Sequence, residues 1–157
     1  MEAKITNYES KYAQSISDII TRNLLEINSK DYGIKAMKEH ALNFTPKKIE
    51  EYSQTGKIFV ALIEEKVVGT LRVDKYWYGN EYDYVFLTIF VLPEIHRMGI
   101  GKKLIEEGEK YVKNMNGKSI KIPASVYGHE FYIKMGYKDI NGNIPDEDNC
   151  IWMNKNI

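Results

Sequence analysis

The sequence passes from an apolar strand into a helix opened by two glycines at Val91-Leu92-Pro93-Glu94-Ile95-His96-Arg97-Met98-Gly99-Ile100-Gly101-Lys102-Lys103-Leu104. The first turn of a helix presents main-chain N–H groups that have no partner inside the helix, together with the positive end of the helix dipole. Glycine lets the backbone approach a bound phosphate without a Cβ between them. This stretch therefore predicts a diphosphate site built from main-chain amides, with Lys102 and Lys103 close by.

This turn differs from the two common nucleotide-binding loops. A P-loop requires a glycine five residues before its Gly-Lys pair, and that position is His96 here. The dinucleotide-binding loop has three glycines at set spacing, whereas this turn has only Gly99 and Gly101. A Gly-x-Gly turn alone is equally compatible with a tight turn that binds nothing, so a functional assignment needs a second signal.

Ahead of this stretch, the apolar spacing predicts one short strand and three helices. Ser10 is expected to cap the first helix, and Thr45-Pro46 has the residue types preferred at the start of the third. Gly56 is expected to end that third helix. The predicted elements are a strand at 3–7 and helices at 10–27, 28–44 and 45–55.

The rest of the chain follows a strand pattern interrupted by helices. Two apolar runs joined by the polar turn Glu64-Glu65-Lys66 are expected to form an antiparallel pair, and the glycine-opened helix lies between two further strands as a β-α-β unit. We therefore expect an α/β fold whose sheet is antiparallel at one end and locally parallel near the middle. The predicted elements are strands at 58–63, 67–73, 82–91 and 119–122, helices at 99–115 and 130–135, and a hairpin of 137–140 with 150–154.

Composition narrows the classes of protein to which the chain can belong. Its 157 residues suit a single domain, 1–157, with a full hydrophobic core. The 22 basic and 22 acidic side chains cancel, which argues against a nucleic-acid partner. No apolar run approaches the roughly 18 residues of a transmembrane helix, so we expect no membrane partner.

The cysteine count and the N-terminus indicate a cytoplasmic protein. Cys150 is the only cysteine, which fits a reducing compartment, and Met1–Ile5 lacks the apolar core of a signal peptide. No His, Cys and Asp cluster has the spacing of metal ligands, so we expect no metal.

Two motifs resemble the GNAT superfamily of N-acetyltransferases. The family's acetyl-CoA signature is Gln or Arg, two residues, Gly, one residue, and Gly or Ala, after a strand that ends in Val-x-Pro. Val91-Leu92-Pro93 and Gly99-Ile100-Gly101 match it, while His96 holds its first position. A later family motif, Phe-Tyr-x-Lys-x-Gly-Phe/Tyr after a short strand, is similar to Phe131–Tyr137. The resemblance covers about residues 58–137, with both motifs in the family order.

The resemblance implies a GNAT-like fold: a mixed, mostly antiparallel central sheet flanked by helices, with a locally parallel β-α-β at the acetyl-CoA site. It implies acetyl-CoA as co-substrate and transfer of acetyl to a primary amine of a small molecule or peptide. Since Cys150 has no His or Asp partner in motif form, the sequence offers no nucleophile and we expect this transfer to be direct. Tyr132 matches the family tyrosine that protonates the departing CoA thiolate. The residues implied in cofactor binding are Phe90, Val91, His96, Arg97, Met98, Gly99, Ile100, Gly101, Lys102 and Ser125, with Phe90 and Val91 acting through main-chain amides that bind the acetyl carbonyl and pantetheine.

The general base is not assigned by the sequence. Glu81, Asp83, Tyr84 and His129 are candidates, and the strand position that carries a Glu in some relatives is Val85 here. We therefore expect the amine proton to leave through water to a more distant group.

Alternatives stay open for two site residues and for the function. Tyr132 either acts as the general acid or only packs in the core. Ser125 either contacts the cofactor or only caps the loop. The rival functions are transfer of another acyl group and a non-catalytic acyl-CoA sensor.

Two apolar groups carry further expectations. The aromatic residues at 76–86 either line an acceptor groove or form a strand-pair core with an aromatic loop, and the second interpretation is favoured. Ile151, Trp152 and Met153 are expected to offer apolar surface for a homodimer.

Overall fold

The computed structural model describes residues 2–157, which build a seven-stranded sheet with helices on both faces. Its strands are β1 (Lys4–Asn7), β2 (Lys57–Ile63), β3 (Lys66–Tyr78), β4 (Glu81–Val91), β5 (Ser119–Ala124), β6 (Lys138–Asp139) and β7 (Ile151–Asn156). They lie in the order β1-β2-β3-β4-β5-β7-β6. The β4–β5 pair is parallel and the other neighbouring pairs are antiparallel.

Six α-helices connect these strands within residues 2–157. They are α1 (Ala13–Asn23), α2 (Ser29–Tyr32), α3 (Ile34–Ala41), α4 (Pro46–Thr55), α5 (Ile100–Asn114) and α6 (His129–Lys134). A π-helical turn, Leu24–Asn28, joins α1 to α2. Across residues 2–157, no helix has the combined length and apolarity needed to cross a bilayer.

Helices α1 and α5 cover opposite faces of the sheet. Successive side chains of a strand point to opposite faces, so the apolar run of β2 contributes to both sides. Phe59 and Ala61 join the core that includes α5, whereas Ile58, Val60 and Leu62 join the core that includes α1 and α4. A continuous apolar strand is thus explained by burial on both faces.

Helix α5 approaches the sheet closely at Gly108. A Cβ at this position would lie 2.7 Å from both Leu71 Cδ2 and Phe86 Cζ, so it could be accommodated only if these side chains or the helix moved. This contact fixes the height of α5 above β3 and β4, and with it the position of the helix start.

Strands β4 and β5 separate soon after they meet. Their pairing is limited to Tyr84 with Ile120 and Val85 with Lys121, although β4 continues to Val91. The last residues of β4 therefore have β3 as a neighbour on one side and an opening on the other.

The predicted fold class is confirmed, since the sheet is mixed, mostly antiparallel and parallel at the β-α-β unit. The start of the first helix is predicted wrongly. Ser10–Tyr12 forms a 3-10 turn, and α1 begins at Ala13. The Ser10 hydroxyl bonds the Glu50 carboxylate, so a distant partner replaces the expected cap.

The single helix expected at 28–44 is also wrong. Gly33 has φ +86°, a left-handed value that a right-handed helix cannot contain, and the chain breaks there into α2 and α3. A 3-10 turn, Leu42–Phe44, then leads to α4, whose capping by Thr45 is confirmed by a hydrogen bond from Lys48 N–H.

The aromatic stretch is a hairpin rather than a loop. Strands β3 and β4 pair out to Tyr78 and Glu81, so β3 continues five residues beyond its predicted end at Val73, while β4 starts within one residue of its predicted start. The exposed aromatic residues near its tip are Tyr76, Trp77, Tyr78 and Tyr82.

The expected apolar dimer surface is only partly present. Met153 is completely buried, because β7 lies between β5 and β6 and this side chain faces the core. Trp152 is half-buried, and its indole N–H donates to Asp146 at 2.8 Å. A homodimer stays a prediction, without Met153 as part of its surface.

Candidate functional site

The separation of β4 from β5 opens into a cleft of about 570 Å³. Its walls come from the start of α5, from α6 and the loop before it, from the end of β4, and from the end of α1 with the following π-helical turn. Because α1 and α5 lie on opposite faces, this cleft connects the two faces of the sheet through the gap between the strands.

The start of α5 forms a cradle of main-chain amides at one end of the cleft. Arg97 and Gly99 have φ values of +66° and +83°, which turn the chain sharply into the helix. The first helical main-chain bond runs from Lys103 N–H to Gly99 O at 3.1 Å. Within the described residues, the N–H groups of Ile100, Gly101 and Lys102 have no acceptor. These donors and the helix dipole favour an anionic group.

The side chains of the first turn of α5 divide into two groups. Lys102 lines the cleft and is largely exposed, with Glu106 3.9 Å away. Lys103 instead turns to the residues just before β1, where its ammonium donates to the Glu2 carboxylate at 2.7 Å and to the Ala3 carbonyl at 3.3 Å. Met98 is two-thirds exposed and is not part of the cleft wall. Of these side chains, Lys102 is therefore the one positioned to meet an anion.

Gly101 is restricted by a neighbour from α6. A Cβ there would lie 3.2 Å from Phe131 Cζ, so the second glycine allows α6 to close over the cradle. The aromatic ring of the second sequence motif thus packs directly on the glycine turn of the first.

The strand register decides which amide of β4 faces the opening. Phe90 pairs with Thr70, and Leu92 N–H donates to Val68 O at 2.9 Å, so the main-chain groups of Phe90 point towards β3. Alternate residues point the other way, which directs the N–H and C=O of Val91 into the cleft. The carbonyl of Val91 is already occupied by Asn23 Nδ2 at 2.9 Å and His96 Nε2 at 2.7 Å. Its N–H is the donor that remains.

His96 acts within the protein through both of its ring nitrogens. A carbonyl only accepts, so Nε2 carries a hydrogen that it donates to Val91 O. Nδ1 lies 3.0 Å from the Tyr127 hydroxyl, and in the neutral ring it accepts from that group. The expected cofactor contact of His96 is thereby limited to its ring surface and main chain.

Tyr132 lies on α6 and is one of the residues that line the cleft. The residue is 8% exposed, and its hydroxyl has no partner among residues 2–157. Burial raises the pKa of the Tyr132 phenol above its ordinary value, so the group keeps its proton at neutral pH. A protonated, unpaired phenol is able to donate to an anion formed beside it.

Ser125 has a capping role in the loop before α6. Its Oγ accepts from Gly128 N–H at 3.1 Å, and it also lines the cleft. This is the loop-capping alternative that the sequence left open.

None of the four candidate bases reaches the cleft wall. His129 bonds Asp139 at 2.7 Å, and Glu81 lies exposed near the hairpin tip. The Tyr84 hydroxyl is buried without a partner in the described chain, and burial raises its pKa to about 12.

The Asp83 carboxylate is held by neighbouring side chains outside the cleft. Burial alone would raise the pKa of its carboxyl, but hydrogen bonds from Tyr78 and Ser119 and the charge of Lys121 outweigh burial and lower that pKa. Among residues 2–157, no cluster of three or more His, Cys, Asp or Glu side chains is arranged to hold a metal ion.

Two buried polar residues of the cleft were missed by sequence reasoning. Asn23 is 3% exposed and Asn28 is 6% exposed, and both line the cleft from the α1 side. A signal for Asn23 was present in the sequence. It lies at helical spacing among Ile19, Ile20 and Ile27, so it is a polar side chain on an otherwise apolar face.

Comparison with known proteins identifies a family for this arrangement. The sequence profile described as "Acetyltransferase (GNAT) family" matches residues 21–137, a range that contains both motifs and the cleft. An Escherichia coli (strain K12) protein described as "Uncharacterized N-acetyltransferase YjhQ" is 24% identical over 121 residues, covering 69% of this chain. This chain spans 65% of the length of that relative.

Solved structures share the fold over nearly the whole chain. A PaiA N-acetyltransferase from Thermoplasma acidophilum in complex with coenzyme A superposes with a TM-score of 0.86 at 17% identity, covering 100% of both chains. A GNAT family acetyltransferase from Brucella melitensis in complex with acetyl-CoA has a TM-score of 0.72 at 16% identity, covering 99% of this chain and 88% of that one. At these identities the likeness concerns the fold.

Proposed function

This chain belongs to the GNAT family of acetyltransferases, and from that premise we propose that it transfers acetyl from acetyl-CoA directly to a primary amine. One observation carries the proposal. A single cleft joins the unpaired amides at the start of α5 to the unpaired hydroxyl of Tyr132, through the gap between β4 and β5.

The residues present fit acetyl-CoA, which supplies the activated acetyl group and a thiolate leaving group. The N–H groups of Ile100, Gly101 and Lys102 would hold its diphosphate, with the Lys102 ammonium beside them. Gly99 and Gly101 keep this cradle free of side chains. The gap between β4 and β5 leaves room for an extended arm that reaches the opposite face.

The chain's own groups would then act at two atoms. Val91 N–H is directed into the cleft, where it would stabilise negative charge that develops on the carbonyl oxygen. The Tyr132 hydroxyl would protonate the sulfur as the C–S bond breaks and the C–N bond forms. The amine proton would pass to solvent, from which Tyr132 recovers its own proton.

The proposed acceptor is a primary amine of a small molecule or peptide. Two rivals are another acyl donor and a non-catalytic acyl-CoA sensor. A sensor has no need of an unpaired phenol at the reacting end of the cleft, and the free hydroxyl of Tyr132 favours a catalyst.

The test is CoA release from acetyl-CoA with a panel of spermidine, an aminoglycoside, free amino acids and a tripeptide. We expect amine-dependent release with at least one member. Calorimetric binding of acetyl-CoA without amine-dependent release would contradict the catalytic proposal and favour the sensor. Faster turnover with butyryl-CoA than with acetyl-CoA would identify a different acyl donor.

A further inference from the structure

The π-helical turn after α1 brings a second asparagine to the cleft. Asn23 ends α1 and Asn28 ends the π-helical turn, five residues later. Residues five apart in a regular α-helix differ by about 140° around the axis and do not share a face. The wider π-helical turn changes this relation, and both side chains line the same wall.

The two asparagines differ in their partners. Asn23 donates to Ile19 O and Val91 O, both at 2.9 Å, so its amide is used by the fold. The side chain of Asn28 has no hydrogen-bond partner among residues 2–157, although the residue is only 6% exposed. The polar atoms of this side chain are not sealed from the cleft, so the amide that the fold leaves unpaired is available to a ligand there.

Asn28 lies on the α1 face, opposite the amide cradle of α5. If the cradle holds the diphosphate, the far end of the cleft is where an acceptor meets the acetyl group. The apolar residues that line the cleft together with Asn28 include Ile27, Ile89 and Phe90. Glu130, on α6, is the one carboxylate of the cleft wall in the described chain.

Three charged or titratable residues follow Asn28 on α2: Lys30 and Asp31 are exposed, and the Tyr32 hydroxyl donates to Asn149 O and accepts from Val126 N–H, both at 3.0 Å. On the helical segment before Asn28, Arg22 is paired with Glu26 and with Glu94 at 2.8 and 2.9 Å. The titratable or charged groups that line the cleft from α5, α6 and their loops are His96, Arg97, Lys102, Tyr127, Glu130, Tyr132 and Lys134. None of them comes from the α1 face.

We propose that Asn28 is an acceptor-binding residue whose Oδ1 accepts a hydrogen bond from the reacting nitrogen and holds it as a neutral amine. This proposal rests on the function proposed above and names the acceptor class: a primary amine whose neighbouring atoms are uncharged. An apolar wall with a neutral amide disfavours the ammonium form, because desolvation lowers the pKa of a cation. The site thereby compensates for the missing base, whereas a carboxylate there would keep the nitrogen protonated.

The decisive variant is Asn28→Asp, assayed with the panel amine that gives the highest wild-type turnover. An adjacent carboxylate raises the pKa of the bound ammonium by about one unit or more. We expect kcat near pH 7 to fall about tenfold and to recover as the pH rises, so the rate profile shifts towards alkaline pH. Asn28→Leu, of similar size, is expected to raise KM for the amine about fivefold or more without moving the profile.

Asn43→Asp is the matched control. Asn43 is exposed, lies outside the cleft and receives the same added charge. We expect it to retain the wild-type profile. An Asn28→Asp enzyme with the wild-type pH profile and amine KM would overturn the proposal, since a merely structural Asn28 would change stability alone.

A binding experiment separates this proposal from the proposed function. The side-chain NH2 resonances of Asn28, assigned with Asn28→Ala, should shift when n-butylamine is added to the complex with CoA. A shift without turnover on any amine would leave the acceptor site standing and overturn acetyl transfer. Turnover without a shift would overturn the role of Asn28 and leave acetyl transfer standing.

Discussion

Asn23 Nδ2 lies 2.9 Å from the carbonyl oxygen of Val91 and ties the end of α1 to the end of β4. The same nitrogen bonds Ile19 O, and Asn23 is almost completely buried. This bond joins the two walls of the cleft and fixes the peptide whose N–H faces the reacting end. It therefore couples the stability of the fold to the geometry of the site.

Replacing Asn23 with Leu is expected to lower both stability and turnover. The Val91 carbonyl would then have His96 as its remaining hydrogen-bond donor. Losing a buried partner lowers the free energy of unfolding by about 1–3 kcal/mol. We also expect kcat to fall several-fold, with a smaller change in acetyl-CoA affinity, because Val91 N–H loses its alignment.

Chemical denaturation and steady-state kinetics measure these two effects. Ile16→Val in the same helix is the control, since it removes one buried methylene outside the cleft for about 0.5–1.5 kcal/mol. Equal kcat values in Asn23→Leu and the control would show that Asn23 serves stability only.

Gly99→Ala is expected to weaken acetyl-CoA binding about tenfold or more. Gly99 has φ +83° and lines the cleft beside the unpaired amides, so a methyl group there would enter the space of the diphosphate. Calorimetry measures the affinity directly.

Gly79→Ala isolates the effect of backbone strain. Gly79 has φ +60°, and a Cβ at either Gly79 or Gly99 would meet nothing within 4 Å. Both variants therefore carry a similar left-handed strain of about 1–2 kcal/mol. Equal acetyl-CoA affinities in the two variants would exclude the Gly99 turn as the diphosphate site.

The parts of the fold that follow local rules were predictable from sequence. The glycine-opened helix α5, the buried β2 and the Thr45 cap depend on periodicity, glycine conformation and capping preference over a few residues. The glycine turn was predictable because the same local rule that starts the helix also leaves its first main-chain amides unpaired.

The remaining features depend on contacts between distant segments. The Ser10 hydroxyl bonds the distant Glu50 carboxylate instead of capping a helix. The separation of β4 from β5 depends on how both strands pack on the helices. The π-helical turn places Asn28 at the cleft. A helical wheel with regular α-helical spacing would instead place this residue on a different face from Asn23. Whether the main-chain groups of Val91 face the cleft or β3 could be decided only from the register between β3 and β4.

Stability is expected to fall above about pH 10, with Tyr137 as a major cause. Burial, followed by the charge of Glu109 and the hydrogen bond to it at 2.9 Å, raises the pKa of this phenol above its ordinary value of about 10. The unfolded chain then ionises first, so the contribution of Tyr137 is complete below pH 10 and is lost as the pH rises. Each such tyrosine gives a slope of about −1.4 kcal/mol per pH unit.

Tyr137→Phe should therefore make this slope shallower by about one proton, while lowering stability at pH 7 through the lost hydrogen bond to Glu109. Urea unfolding between pH 8 and about pH 11.5 measures the slope. An unchanged slope would show that the Tyr137 phenol ionises equally in both states.

Tyr132→Phe is expected to lower kcat about tenfold or more while hardly changing the affinity for acetyl-CoA. The substitution removes only the hydroxyl, which has no partner among residues 2–157, so the ring keeps its packing beside Phe131 and Tyr137. If the hydroxyl protonates the leaving sulfur, its loss is felt in the transition state and appears in kcat. General acids typically contribute about 100-fold, and a thiolate, as a good leaving group, needs less help.

The level of kcat, rather than the shape of the pH profile, is expected to change. Burial raises the pKa of Tyr132, so the wild-type phenol stays protonated well into the alkaline range and the rate profile of the variant should run parallel to that of the wild type at a lower level. Tyr111→Phe, on α5 outside the cleft, is the control for losing a partly buried hydroxyl. Wild-type kcat in Tyr132→Phe, with chemistry rate-limiting, would show that Tyr132 only packs. The departing sulfur would then take its proton from solvent, and the position of Tyr132 at the reacting end of the cleft would reflect packing on α6 alone.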